Sequence, residues 1–117
     1  MNRSSEGRKG ESAAAEYLEA VGCTVIARNY RSRRGEIDLV ALDGESILFV
    51  EVKAWRSLGL EDIGLALDAR KQNRIIETAK LFLSQNREYN GRHVRFDLVF
   101  IGPEGIRHLA SAFTECV

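Results

Sequence analysis

The chain has 117 residues, a length that suits one hydrophobic core and is short for two. Its 44% hydrophobic content, 29% charged content and single proline exclude an extensively disordered or low-complexity polymer. Lys and Arg total 17, and so do Asp and Glu, which excludes a uniformly basic nucleic-acid coat; attraction to phosphate must come from where the charges sit.

Residues Ser5 to Val21 are rich in helix formers, with Ala13, Ala14, Ala15 and Leu18 ahead of Gly22 as a stop, and predict a first helix. No apolar run exceeds five residues, and the N-terminal Met-Asn-Arg-Ser-Ser-Glu-Gly-Arg-Lys-Gly has no hydrophobic stretch of signal-peptide or membrane-span type, so a cytoplasmic chain without membrane attachment is expected. Cys23 and Cys116 lie in separate parts of the chain without zinc-type spacing and read as reduced thiols. Val25 and Ile26 suggest a strand over Cys23 to Tyr30, followed by an arginine-rich stretch, Arg28, Arg31, Arg33 and Arg34 around Tyr30.

Glu36 to Leu42 and Ile47 to Lys53 are apolar runs joined by Asp43-Gly44-Glu45-Ser46, a hairpin signal. Ala66 to Gln85 carries apolar residues at 75, 76, 79, 82 and 83, the spacing of one helical face, and its start holds a second basic cluster, Arg70, Lys71 and Arg74. Val94 to Ile101 predicts another strand closed by Gly102-Pro103, and Ile106 to Ala110 a short edge strand. The order helix, three strands, helix, strand, edge strand predicts one α/β domain over residues 1–117, a mixed central sheet flanked by helices.

Charged residues interrupt this pattern where apolar ones belong. Strand alternation puts Ile47, Phe49, Glu51 and Lys53 on one face, and Asp38 on a face with Val40 and Leu42, opposite Ile37, Leu39 and Ala41. If Leu42 pairs with Ile47, Asp38 lies opposite Glu51; if the turn slips by two, they are diagonal neighbours. Either register leaves the carboxylates roughly 5 to 8 Å apart, where a divalent cation relieves their repulsion. Glu11 shares a helical stripe with Ala14, Leu18 and Val21, so it points at the sheet, and Lys71 and Gln72 open the long helix one turn before Ile75 and Ile76.

Gly35-Glu36-Ile37-Asp38 followed across the hairpin by Glu51-Val52-Lys53 resembles the Asp…Glu-x-Lys signature of the PD-(D/E)XK nucleases, with Ile37 at the nominal proline. With Gly10-Glu11, Asp68-Ala69-Arg70-Lys71-Gln72 and Arg95-Phe96-Asp97 added, the chain resembles the uncharacterised bacterial YraN-like family from about Gly7 to Phe113. That family is similar to archaeal Holliday-junction resolvases. The resemblance implies a restriction-endonuclease-like three-layer sandwich with a helix-β-β-β-helix-β core, and a DNA endonuclease, acting on branched or damaged DNA. It implies that Asp38, Glu51 and the Val52 carbonyl hold Mg²⁺, with Mn²⁺ as substitute, that Lys53 orients or helps deprotonate the attacking water and stabilises developing charge, and that Glu11 supports the metal's water shell or a second ion. Gln72 or Lys71 then meets the scissile phosphate, Arg31, Arg33 and Arg34 meet the backbone, and Tyr30 offers a stacking surface. A homodimer is implied by analogy with paired junction cutters.

Two other functions compete with that one: a nucleic-acid-binding module that keeps the scaffold without efficient turnover, and an adaptor whose charge pairs are structural. Glu36, near the start of its strand, reads as a solvated acid, Asp97 as part of a structural ion pair with Arg95, and His93 and His108 as surface or packing residues.

Overall fold

The computed structural model describes residues 3–54 and 67–114, with the side chains of the first helix described from residue 10 onward. Cys116, and Ala66 as the expected start of the long helix, lie outside the described residues. Helix α1 (Arg3–Ala20) ends in a Schellman motif. The N–H of Cys23 donates to the Leu18 carbonyl at 2.9 Å and that of Gly22 to Glu19 at 3.1 Å, which requires the positive φ of 101° that Gly22 adopts. Three strands follow, β1 (Thr24–Arg31), β2 (Glu36–Asp43) and β3 (Ser46–Ala54). Helix α2 (Ala69–Gln85) then leads to β4 (His93–Gly102) and β5 (Gly105–Phe113). Among the described residues no helix is long and apolar enough to cross a membrane.

The five strands lie in sequence order, antiparallel except for β3 and β4, which run parallel from Ser46↔His93 to Ala54↔Ile101. A parallel pair needs a crossover, and α2 supplies it, so α2 begins at the end of the sheet where β3 finishes. Leu42 pairs with Ile47, the first of the two registers, and the turn tightens to Gly44-Glu45 through an added Asp43↔Ser46 pair without slipping. Gly44 takes a φ of 60° at the first turn position, where a type II′ turn calls for glycine.

Two cores make the sandwich. On one face Ala14, Ala15 and Leu18 of α1 pack against Leu39, Ala41, Leu48, Val50 and Val99. On the other, Ile75, Ile76, Ala79 and Phe82 of α2 pack against Ile37, Val40, Ile47, Phe49, Phe96, Leu98 and Phe100. Each large apolar side chain buried this way is worth about 1.5–3 kcal/mol, which is why α2 keeps its apolar stripe inward despite a low share of apolar residues.

The expected alternation of β2 fails at one point. Ile37 joins Val40 in the α2 core, whereas strict alternation puts it with Leu39 and Ala41. The reversal falls at Asp38, where β2 parts from β3. The edge strand is also longer than the expected 106–110 segment. It reaches Phe113 by a register shift opposite Asp97, with Ser111 at a φ of 53°.

Candidate active site

Strands β2 and β3 are paired from their turn up to Leu39↔Val50 and then fork, while β2 stays paired with β1 as far as Glu36. Asp38 sits in the fork. Its Oδ2 accepts the Val52 backbone N–H at 2.8 Å, so a carboxylate satisfies a donor that a continuous ladder would pair with a carbonyl. Val52 itself points to the α1 core and leaves Glu51 and Lys53 on the α2 face.

The Glu51 carboxyl lies close enough to Asp38 to raise its pKa. Burial, and then the charge of Glu51, push Asp38 up to about 7, against the opposing pull of the Val52 N–H. The Lys53 ammonium lies 3.4 Å from Glu51 Oε2, and both side chains remain partly open to solvent. Glu36 adds negative charge nearby; its Oε2 is buried without a hydrogen bond, and Arg31 Nε at 3.4 Å answers the charge without good alignment.

The donor set is oxygen-only, two crowded carboxylates beside the Val52 peptide, which suits a hard divalent cation better than a soft one. A cation would supply the positive charge that lets both carboxyls ionise. Among the described residues, no three His, Cys, Asp or Glu side chains converge as a ready metal cage. Solvent oxygens would complete such a shell, as is usual for Mg²⁺.

Helix α1 lies across the other sheet face, with Gly10 so near Val52 that an added Cβ would stand 3.9 Å from Val52 Cγ1. Glu11 follows it and is half-buried. Gln72 and Lys71 lie at the start of α2. The Gln72 amide donates to the Leu67 carbonyl at 3.0 Å, and the Lys71 N–H donates to the capping carboxylate of Asp68 at 2.9 Å, leaving the Lys71 side chain exposed.

The arginine loop is pinned to α2. Ser32 Oγ accepts the N–H groups of Arg34 and Gly35 at 3.0 and 3.2 Å and lies 3.3 Å from the Thr78 hydroxyl. Arg34 Nη1 donates to Glu77 at 2.7 Å, Arg31 faces Glu36, and Arg33 is exposed. Tyr30 is a packing residue in this structure. Its ring meets Phe82 edge-on at 5.1 Å, and its hydroxyl donates to Gln85 Oε1.

A second polar cluster lies on the α1 face. Asp97 is fully buried and accepts Arg95 Nε and Nη2 at 3.0 and 2.8 Å and the Ser111 N–H at 3.0 Å, and its Oδ2 is 2.7 Å from His108 Nε2. Burial alone would raise its pKa, but these bonds hold it at about 2. An ionised Asp97 only accepts, so Nε2 of His108 carries a proton, and the Tyr17 hydroxyl meets Nδ1 at 2.9 Å. The Arg95–Asp97 pair is visible in the sequence. The His108 and Tyr17 links are not, because no spacing signal joins residues 91 positions apart.

Comparison with known proteins follows the same residues. The profile of the uncharacterised protein family UPF0102 matches residues 10–101, from Gly10 beside the fork to the end of the β3–β4 pairing. A UPF0102 protein of Treponema denticola is 40% identical over 124 residues, spanning 94% of this chain and 95% of its own length. UPF0102 proteins of Ectopseudomonas mendocina and Lachnoclostridium phytofermentans are 43% and 42% identical, covering 88% and 97% of this chain and 87% and 96% of their own.

Proposed function

The chain belongs to the uncharacterised protein family UPF0102, and on that basis we propose that it is a divalent-metal-dependent endonuclease that hydrolyses DNA phosphodiesters at the β2–β3 fork. The observation that carries this reading is the Glu51 carboxyl near enough to Asp38 to raise its pKa, with the Lys53 ammonium 3.4 Å from Glu51. Two acids and a base so placed are costly for stability, since burial and like charge both penalise ionisation. A phosphodiester-cleaving centre gives that cost a purpose.

Asp38, Glu51 and the Val52 carbonyl would hold Mg²⁺ or Mn²⁺, which when bound supplies positive charge to a phosphoryl oxygen and makes a coordinated water more acidic. Lys53, held by Glu51, orients the attacking water and offsets the negative charge that gathers on phosphorus oxygens as the P–O bond to water forms. Glu11 supports that water shell from α1. Glu51 and Lys53 are partly open to solvent, and branched DNA belongs among the substrates tested.

The test is cleavage of labelled duplex, single-stranded, flap and four-way-junction DNA with Mg²⁺ or Mn²⁺. The reading requires a metal-dependent product lost in Asp38→Asn and Glu51→Gln. Absence of product from every substrate, or undiminished cleavage by Asp38→Asn, rejects it.

A further inference from the structure

The two basic clusters of the sequence, at 28–34 and 70–74, meet in the fold. Gly35 lies against α2 so closely that an added Cβ would stand 3.2 Å from Arg74 Cβ and from Thr78 Oγ1. The arginine loop therefore crosses α2 at Arg74, and from that crossing α2 runs back through Lys71 and Arg70 to its start, at the sheet end where β3 carries Glu51 and Lys53. Arg31 and Arg34 are engaged with Glu36 and Glu77. Arg33, Arg70, Lys71 and Arg74 are exposed, and the charges of Arg70 and Lys71 act on the capping carboxylate of Asp68.

The helix itself argues that these charges serve something other than folding. Beyond the capping carboxylate of Asp68 its first turn contains no acidic residue, and Arg70 and Lys71 place two cations where the macrodipole disfavours them. Arg70 and Arg74 are also a like-charged i,i+4 pair, which weakens an isolated helix. Local stability is given up at the place where the loop arginines arrive. The loop meanwhile is rigid, because Ser32 ties two of its N–H groups and Gly35 leaves no gap to α2.

We propose that this loop and the first two turns of α2 form one strip that binds the phosphate backbone of a polynucleotide, with Arg33, Arg70, Lys71 and Arg74 as the contacts and Arg31 and Arg34 as the struts that hold the loop. The strip rests on the phosphodiesterase reading for the identity of its partner. Contacts of this kind read charge and spacing rather than base sequence, so the surface binds without sequence preference. Its rigidity lowers the ordering cost of binding.

The experiment measures anisotropy of a labelled duplex against the full chain in chelator, where nothing is cut, over a range of salt concentrations. Arg33→Ala with Arg74→Ala is expected to weaken binding and to make the slope of log affinity against log salt shallower by about two, about one per lost phosphate contact. Arg70→Glu with Lys71→Glu is expected to abolish binding while raising the melting temperature, which separates loss of contact from loss of fold. Arg87→Ala, exposed beyond the far end of α2, is expected to change neither. Salt slopes equal to wild type in the first variant, an equal loss in Arg87→Ala, or displacement of the duplex by polyglutamate at matched charge overturns the strip. Binding that behaves as expected without metal-dependent cleavage keeps the strip and rejects the hydrolase; cleavage with unchanged slopes does the reverse.

Discussion

The carboxylate of Asp38 accepts the backbone N–H of Val52 at 2.8 Å, so one side chain both closes the gap where two strands separate and faces Glu51. Substitutions can part the two roles. Asp38→Ala leaves a peptide donor without its acceptor and is expected to cost about 1–3 kcal/mol in urea unfolding. Asp38→Asn keeps an acceptor oxygen and removes the like charge, so stability is expected to hold or rise. Both are expected to lose Mn²⁺ binding by calorimetry, and retention of Mn²⁺ affinity by Asp38→Asn contradicts a metal role.

The two shifted aspartates give opposite pH limbs. Asp38 stands at about 7 against an ordinary 3.8, so between those values the folded chain holds a proton that the unfolded chain has released. Stability of the metal-free protein therefore falls as pH rises across that window. Asp97 stands at about 2, so its contribution is present above the ordinary carboxylate range and is lost as pH falls toward 2. Thermal unfolding in chelator is expected to peak in mild acid, and Asp38→Asn is expected to flatten the limb toward neutrality. Identical limbs in the two proteins refute this assignment.

Gly35→Ala tests the close approach of loop and helix. The new methyl meets Arg74 Cβ and Thr78 Oγ1 at 3.2 Å and the Arg74 carbonyl at 3.3 Å, too tight for backbone to absorb freely. The expected loss is about 1–3 kcal/mol by urea unfolding, the usual range for overpacking. A variant as stable as wild type shows the loop to be free of the helix.

Asp97→Ala removes the partner of a guanidinium whose side chain is 21% exposed, together with the acceptor for His108 and Ser111. It is expected to cost about 3–5 kcal/mol, the range for breaking a buried pair. Tyr17→Phe deletes only the hydroxyl at the end of the chain of bonds and is expected to cost about 0.5–1.5 kcal/mol. Equal effects of the two in equilibrium unfolding contradict the ordering of these bonds.

Most elements can be read from the sequence because periodicity and turn chemistry agree over β2, β3, α2 and β4. The register of Asp38 and Glu51 follows from Gly44 and from the apolar runs on either side. Two features stay hidden for physical reasons. The reversal at Ile37 arises because the strands part, and alternation assumes that they do not. The length of β5 depends on a buried carboxylate taking the Ser111 N–H, a tertiary bond that hydropathy does not record. Tyr30 shows the converse: an aromatic among arginines suggests stacking on a base, yet Phe82 supplies its neighbour.

The parallel pairing of β3 and β4 sets an order of assembly. Strands β1 to β3 meet across short turns, so their contacts close at little entropic cost, whereas β4 must return across 47 positions to lie beside β3, as in Ser46↔His93. The kinetic nucleus is therefore expected in the β2–β3 hairpin with α2 docked on it, and β4 and β5 consolidate later, as contact-order arguments require. On that route Asp38 and Glu51 approach each other while the chain is still half-folded. Above about pH 7, where Asp38 ionises, their repulsion then slows folding, and Asp38→Asn, which keeps an acceptor for the Val52 N–H, should quicken the refolding limb of a chevron more than it changes the unfolding limb.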